Sequence, residues 1–431
     1  KAKGAGDGIS VPPEGRPTVS FLDDEEGRKS MGMAVSSMTG PQVVAMVDEI
    51  VSTGIAVNAS DIHIEQDRRG VVVRYRIEGE LKNRAQLIPA DMSRPLVSRI
   101  KLIAKLDITE TRRPQDGRIS VQVDKRLVDL RVSTMPTKFG EKVVMRILDA
   151  EMNVVDLKSI IVHQKVRQIF TEMVFRPNGL VLVTGPTGSG KTTTMYAGLM
   201  ARRRPELNLV TVEDPIEYHL DGTTQIQVQP EVGTTFDKVL RALLRQDPDV
   251  IMVGETRDAE TARMAVEASM TGHLVITSLH ANGALESVLR LLELQVDRYT
   301  LANTLLGVLH QRLVRRCCPN CTEPFEYPAP IVERLYRAGA FLPHEKPTLS
   351  RGKGCPKCNN TGFKGRVAML ELLIANDAVK AAISGGGDTA ALKEVAKQGA
   401  MVDLARYAGI LVGTGVTVPG EVLHMLQQVG G

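Results

Sequence analysis

The chain has 431 residues, of which 43% are hydrophobic and 24% are charged, so it is globular and long enough for about three domains. Its 54 basic and 50 acidic side chains leave a formal net charge of +4, which is too small a surplus to indicate nucleic-acid binding by itself. The sequence shows neither an apolar stretch of roughly 18 residues nor a secretory signal, and this predicts a cytoplasmic protein without a membrane span.

The first forty residues differ in composition from the rest of the chain. They are rich in Gly, Pro and Ser, they contain the acidic run Asp23–Glu26, and they lack a sustained apolar period. This composition predicts a flexible linker over residues 1–40, and we expect a further domain to precede it.

A small α/β domain is predicted over residues 41–150. Apolar residues recur at helical spacing from Pro41 to Val57, and in Val71–Ile77 they alternate with Arg74 and Arg76, which is typical of a half-buried strand. Further strands are predicted at 118–123, 127–132 and 142–148, with a helix near 94–104 and a linker over 151–161.

The block 162–316 alternates short apolar strands with helices, a pattern that predicts a parallel sheet wrapped by helices. The predicted strands are Leu180–Thr184, Leu209–Val212, Val250–Val253 and Leu274–Ser278. Ligands of such sheets lie beyond the carboxyl ends of the strands. The cysteine-containing segment 317–366 and a helical region over 367–431 are predicted to follow.

Gly185–Thr192 matches the phosphate-binding pattern G-x-x-x-x-G-K-[ST] at every fixed position. It follows a predicted strand and precedes a predicted helix, as a loop that binds ATP requires, with Lys191 for the phosphates and Thr192 for Mg²⁺. The alternative is a glycine-rich turn with a solvated lysine. The predicted nucleotide contacts are Gly185, Pro186, Thr187, Gly188, Ser189, Gly190, Lys191, Thr192 and Thr193.

Acidic side chains follow two of the predicted strands. Glu213 and Asp214 come after Leu209–Val212, and Glu255 comes after Val250–Val253. Carboxylates at this edge suit the orientation of water and the binding of Mg²⁺, although a solvated acidic turn is the alternative. Asp247 precedes its strand and is expected to shape a turn.

Two histidines bracket the strand Leu274–Ser278. His280 follows the strand and should face the nucleotide side, where it could sense the γ-phosphate. His273 precedes the strand, so a structural role and a catalytic role are both open for it.

Two C-x-x-C pairs, Cys318–Cys321 and Cys355–Cys358, predict a four-thiolate Zn²⁺ site of the structural type. A helix is predicted between them, over Pro330–Ala338. Cys317 is a fifth thiol, and free or oxidised cysteines are the alternative to a metal site.

Together these patterns resemble the secretion ATPase superfamily, with its Walker A, Asp box, Walker B and His box in the same order. The segments that carry the resemblance are Gly185–Thr192, Thr211–Glu217, Arg245–Asp258 and Thr271–His280, with Ser60–Glu65, Arg74–Gly79 and Arg113–Arg118 in the front domain. The paired C-x-x-C segments are similar to those of type II secretion ATPases and type IV pilus assembly ATPases.

The resemblance implies a RecA-like P-loop core, preceded by a small PAS-like α/β domain and followed by a zinc-binding, mostly helical region. It also implies that Glu213 is the catalytic glutamate, that Glu255 supports metal and water, and that His280 and His273 form the His box. Four front-domain arginines are implied to reach the nucleotide of a neighbouring subunit: Arg76, Arg113, Arg118 and Arg131.

The family works as a cytoplasmic homohexamer, docked on an inner-membrane platform protein and a membrane anchor. The expected function is therefore an ATPase motor for type II secretion, or alternatively for pilus assembly. Two rival hypotheses are a DNA-translocating ATPase, helped by Arg312, Arg315 and Arg316, and a nucleotide-dependent scaffold without turnover. The weak net charge argues against the first, and Glu213 and Glu255 argue against the second.

Overall fold

The chain forms two compact units, Lys1–Met152 and Asn153–Gly431, in the computed structural model. The structure describes residues 9, 11–21, 40–77, 79–124, 126–149, 156–358, 360–386 and 389–429. Among these residues, none of the helices combines the length and the apolarity that crossing a membrane requires.

In its described residues the first unit has a seven-stranded antiparallel sheet in the order β1-β5-β6-β7-β2-β3-β4 and two α-helices. Its strands are β1 Val19–Phe21, β2 Asp61–Gln66, β3 Val71–Ile77, β4 Glu80–Asn83, β5 Gln115–Val123, β6 Arg126–Thr137 and β7 Gly140–Asp149. Its helices are α1 Pro41–Ala56 and α2 Ser93–Ile103.

The core of this unit lies between the helices and one face of the sheet. On β3, Val71, Val73 and Tyr75 are buried, whereas Arg74 and Arg76 on the alternate positions are only half-buried. The period of two thus decides which face meets α1 and α2, and the other face carries the charges. The predicted strand and the predicted helix at Pro41 are confirmed.

The predicted linker over 1–40 is wrong for Val19–Phe21. These residues form β1, which pairs antiparallel with Val121–Val123 of β5 at the edge of the sheet. Val19 and Phe21 pack against the apolar core of the unit, which gives this short segment a reason to be ordered. The acidic run Asp23–Glu26 lies outside the described residues.

The second unit is built on an eight-stranded sheet in the order β10-β9-β11-β12-β8-β13-β16-β17. The strands of this unit are β8 Gly179–Thr184, β9 Leu209–Glu213, β10 Thr224–Gln227, β11 Val250–Val253, β12 Leu274–Leu279, β13 Leu305–Cys317, β14 Thr322–Pro324, β15 Ser350–Gly352, β16 Phe363–Ile374 and β17 Met401–Val402. The six strands from β10 to β13 in this order are parallel, and β16 and β17 are antiparallel to their neighbours.

Twelve α-helices accompany these strands in the described part of the second unit. They are α3 Leu157–Ile160, α4 Gln164–Val174, α5 Lys191–Arg202, α6 Phe236–Leu243, α7 Ala259–Met270, α8 Ala284–Glu293, α9 Arg298–Thr304, α10 Ala329–Arg337, α11 Asp377–Ser384, α12 Thr389–Val395, α13 Leu404–Gly413 and α14 Pro419–Val429. Short helix α3 falls in the linker that was predicted over 151–161, of which residues 151–155 lie outside the described part.

The eight-stranded sheet is covered on both faces, so its central strands are apolar without alternation. Leu180–Val183 is at most 1% exposed, with alternate side chains entering two different cores. One core includes α4, α5, α13 and α14, and the other includes α6 to α9 and α11. The predicted α/β class is confirmed.

The C-terminal region departs from the prediction of a separate zinc-binding and helical part. β13 runs across the boundary proposed at residue 316, and β16 returns beside it over ten registered residue pairs. Because Val367–Leu373 is buried on both faces, this segment belongs to the core sheet. The helices α11 to α14 then pack around a sheet that the C-terminal region helps to build.

Candidate functional site

The predicted phosphate loop lies between β8 and α5, with Lys191 as the first residue of the helix. Gly185, Gly188 and Gly190 have φ values of +146°, +76° and +84°, which L-residues with side chains rarely adopt. These turns coil the backbone ahead of the helix N-terminus, where unpaired N–H groups and the helix dipole favour an anion. All nine predicted nucleotide contacts lie in this loop and the first turn of α5.

The Lys191 side chain is folded back onto its own loop. Its Nζ atom donates to the carbonyl oxygens of Gly185, at 3.0 Å, and Pro186, at 3.1 Å. Burial lowers the pKa of Lys191, and the charge of Glu255 acts in the opposite direction. The ammonium group is therefore held at the mouth of the loop, where a phosphate could take over its hydrogen bonds.

Glu255 and His280 come together at the carboxyl ends of β11 and β12. The His280 Nε2 atom lies 3.7 Å from Glu255 Oε2, and Arg257 contacts the other carboxylate oxygen. Burial lowers the pKa of His280, and the positive charge of Lys191 adds to this effect. The structure thus gathers Lys191, Glu255 and His280 at one edge of the sheet, as strand direction predicts.

Glu213 ends β9 at the same edge but is only 2% exposed. Thr211 Oγ1 and Gln225 Nε2 donate to Glu213 Oε1 at 2.6 and 3.1 Å, and the hydroxyl of Tyr196 donates to Oε2. Burial raises the pKa of Glu213, against the effect of these hydrogen bonds. The carboxyl group is satisfied on both oxygens in this conformation.

His273 is not brought to the phosphate loop. It precedes β12, and the register of β12 with β8 places it at the amino end of the sheet, six residues before the loop edge. Its Nδ1 atom lies 2.9 Å from the carbonyl oxygen of Ala268, and its own carbonyl accepts from the N–H of Gly179. These contacts join the end of α7 to β8 and β12.

The arginines of the front domain form a row across the seven-stranded sheet. Arg118, Arg131 and Arg146 occupy paired positions on β5, β6 and β7, and Asp61 and Arg76 continue the row on β2 and β3. Arg146 Nε lies 3.1 Å and Arg76 Nε 3.6 Å from Asp61. Paired residues share a face, so four guanidiniums line one surface.

The remaining predicted arginine, Arg113, lies exposed just before β5. The row contacts two carboxylates: Asp61, which pairs with Arg146 and Arg76, and Asp129 on β6, which pairs with Arg118. Sequence reasoning missed Arg146, although its position between the apolar residues Met145 and Ile147 of an alternating strand was a usable signal.

The four cysteines of the two C-x-x-C pairs meet in the second unit. Their sulfurs all lie within 4.8 Å of one another, with Cys318–Cys355 and Cys321–Cys358 both at 3.9 Å. Four sulfurs at the usual bond length around a tetrahedral Zn²⁺ would be separated by about 3.8 Å. The arrangement fits a metal of this kind. Cys317 is buried outside the cluster, and its N–H donates to Val416.

A buried polar layer beneath the phosphate loop was not predicted. His310 of β13 is fully buried, its Nδ1 atom lies 3.2 Å from Thr184 Oγ1, and burial lowers its pKa to about 4. Opposite it on β16, Glu371 accepts from the N–H of Ala284 at 2.7 Å. These polar residues interrupt apolar strands, which is the signal that could have singled them out.

Residues 38–425 match the family model described as type II/IV secretion system protein. The type II secretion system ATPase E of Vibrio cholerae serotype O1 is 47% identical over 356 residues, which cover 82% of this chain and 69% of that protein. Type II secretion system protein E of Pseudomonas aeruginosa is 46% identical over 346 residues, covering 79% and 67%. The crystal structure of the pilus retraction motor PilT with bound ADP has a TM-score of 0.59 and 26% identity, covering 88% of this chain and 96% of that chain.

Glu371 is expected to make the stability of the second unit depend on pH. Burial, with Glu286 and Asp403 adding to it against the N–H of Ala284 and the charge of Arg312, raises its pKa from 4.5 to about 7. A raised carboxyl pKa gives stability that is fully present below about pH 4.5 and lost as the pH rises through about 7, a difference of about 3 kcal/mol.

The melting temperature of the wild-type protein should therefore fall more between about pH 5 and about pH 8 than that of Glu371→Gln, which keeps the acceptor for Ala284 but cannot ionise. Thermal unfolding of both proteins in matched buffers measures this difference. Equal losses in the two proteins would contradict the assignment.

Proposed function

Because this chain belongs to the type II/IV secretion system protein family, we propose that it is an ATPase whose hydrolysis of ATP drives type II protein secretion. The observation that carries the proposal is the meeting of Lys191, Glu255 and His280 beside the coiled loop Gly185–Thr192. A nucleotide-binding loop with carboxylate and imidazole groups at the same sheet edge is equipped for phosphoryl transfer to water.

The loop and the first turn of α5 would hold the nucleotide. Backbone N–H groups within residues 187–191 bind phosphate oxygens, and Lys191 exchanges its two carbonyl partners for phosphate. Thr192 offers a hydroxyl to Mg²⁺, which neutralises phosphate charge when bound, and Glu255 is the nearby carboxylate. His280 would donate to the terminal phosphate. His273, at the amino end of β12, has no role in the site of its own subunit on this proposal.

The two glutamates have separate proposed roles. Glu255 faces Lys191 and orients the attacking water or the hydrated metal. Glu213 has a raised pKa, which suits a group that accepts a proton near neutral pH, but it must first exchange the hydrogen bonds from Tyr196 and Gln225. Hydrolysis on this proposal therefore needs a local rearrangement around β9, which closure of the site would provide.

Glu213→Gln and Glu255→Gln should each bind ATP within a few-fold of the wild-type affinity and lose turnover by about 100-fold or more. The measurements are phosphate release and nucleotide titration on the assembled protein. Asp247→Asn is the matched control, because it removes an exposed carboxylate at the opposite edge of the same sheet. Wild-type turnover in Glu213→Gln would refute the role as base and leave Glu255 as the working carboxylate.

The assembly is proposed to be a homohexamer of a PAS-like front domain and a RecA-like core. The row Arg118, Arg131, Arg146 and Arg76, together with Arg113, is then available to a nucleotide in a neighbouring subunit. An arginine at the transferred phosphoryl contributes roughly 10³ to 10⁵ in rate, so subunit contact would switch hydrolysis on. We further propose a cytoplasmic location, peripheral to the inner membrane through the platform protein and the anchor.

The cysteine cluster is proposed to hold one structural Zn²⁺. Four thiolates leave no open coordination position, so the metal would fix the fold of the segment after β13 and take no part in hydrolysis. The N–H groups of Cys355 and Gly362 lie 3.2 and 3.3 Å from Cys358 Sγ, which supports a thiolate there.

Metal analysis should find one zinc per chain, and Cys358→Ser should lose it together with thermal stability, since three thiolates hold the ion less well. Cys317→Ser is the control, because Cys317 is buried close by in sequence but outside the cluster, and it should retain a full equivalent. Retention of zinc in Cys358→Ser, or its absence from the wild-type protein, would contradict the site.

Type II secretion can be distinguished from pilus assembly in the source cell. Lys191→Ala in the full-length gene removes the charge that binds phosphate, so the motor should stop whichever machine it serves. We expect proteins to disappear from the culture supernatant while surface pili persist. Loss of pili with intact secretion would instead identify a pilus assembly motor.

A further inference from the structure

We propose that Gln311 is a positioning residue that sets the orientation of one peptide of the phosphate loop, and thereby the affinity for nucleotide. Gln311 lies on β13, more than a hundred residues after the loop in sequence, and its side chain is 1% exposed. The inference rests on the proposed function, namely that Gly185–Thr192 binds ATP.

The amide of Gln311 is fixed at both of its polar atoms. Its Nε2 atom donates to the carbonyl oxygen of Ser189 at 2.6 Å. Its Oε1 atom accepts from the hydroxyl of Thr194, which is fully buried on α5, at 2.8 Å. A rotated amide would set oxygen against the Ser189 carbonyl, which can only accept, so this carbonyl selects the orientation of the amide, and the Thr194 hydroxyl stabilises it by donating to Oε1.

The orientation of the Ser189 carbonyl determines where the next N–H points. A trans peptide is planar, with its C=O and N–H on opposite sides, so a carbonyl held towards β13 turns the N–H of Gly190 away from that strand. Gly190 has φ +84°, and an ideal Cβ on it would lie 3.2 Å from Gln311 Nε2. The strand therefore supports the loop from outside, and the N–H of Gly190 faces the interior, where phosphate binds.

The main chain of Gln311 makes a second contact with the same loop. An ideal Cβ on Gly185, whose φ is +146°, would lie 2.3 Å from the carbonyl oxygen of Gln311. The first glycine of the loop thus lies against the strand, and an ideal Cβ on Gly190 would lie 3.7 Å from the methyl carbons of Leu313. β13 consequently packs beneath the loop. Among the described contacts, the Gln311 side chain makes the one hydrogen bond from β13 to a carbonyl of the loop.

Removing this amide should weaken nucleotide binding more than catalysis. The buried Ser189 carbonyl would lose its partner, and rotation of the peptide towards another donor would turn the Gly190 N–H out of the loop. Loop N–H groups bind the phosphates that ADP and ATP share. Both nucleotides should therefore lose affinity alike, which distinguishes this residue from a group that acts on the γ-phosphate alone.

The test compares Gln311→Met, which keeps the side-chain volume without hydrogen-bonding groups, with Gln311→Glu, which keeps the acceptor for Thr194 and loses the donor. We expect the Kd for ADP and for ATP with Mg²⁺, and the KM of hydrolysis, to rise about tenfold in both variants, with kcat changed by less than about threefold. Thr194→Val keeps the shape of the helix and frees the amide, so a rise of about threefold is expected there. Val314→Ala on the same strand is the control, because it opens the apolar core, and it should lower the melting temperature without changing either Kd.

Wild-type affinity for both nucleotides in Gln311→Met, or in Thr194→Val if the first variant does not fold, would overturn the positioning role. A proportional loss of kcat with unchanged Kd would overturn it too. A wild-type protein that binds no nucleotide would overturn the proposed function and this inference together, so the two failures are distinguishable.

Discussion

The proposed binding of nucleotide depends on a short run of backbone N–H groups that must all face the same anion. Contacts within Gly185–Lys191 restrain these groups only in part: Lys191 Nζ and the N–H of Ser189 bond carbonyl oxygens of the same loop. The glycine residues at positive φ can adopt other conformations. The surrounding structure provides the restraint: β8 fixes where the loop begins, α5 fixes where it ends, and β13 supports it from below. The conformation of such a loop is therefore determined by the sheet around it as well as by its own sequence.

Much of the fold could be predicted because its signals are local. The strands β8, β11 and β12 are short apolar runs bounded by turns, and α1 and α5 repeat at helical spacing. β13 could not be predicted in the same way. It is thirteen residues long, it alternates poorly, and its buried His310 and Gln311 have their partners on distant elements. Polar residues inside a strand are explained only by contacts that the sequence does not show.

In the candidate site, too, the features with local signals could be predicted and those that depend on distant elements could not. The direction of parallel strands was enough to place Glu255 and His280 beside Lys191. It left a catalytic and a structural role open for His273, whose position follows from the register of β12 with β8. The burial of Glu213 was not predictable, because its donors come from α5 and from an edge strand. The arginines of the front domain were predicted one at a time, whereas the row that they form depends on strand order.

The seven-stranded and the eight-stranded sheet both have short strands at their edges. Each ends on both sides in a strand of two to four described residues: β1 and β4 in one sheet, β10 and β17 in the other. A long outer strand exposes a row of unpaired peptide groups onto which another molecule can add, and open-ended addition of this kind produces fibres. Short outer strands offer too few such groups for growth. Copies of this chain can thus come close together at high concentration without polymerising through the described edges of these sheets.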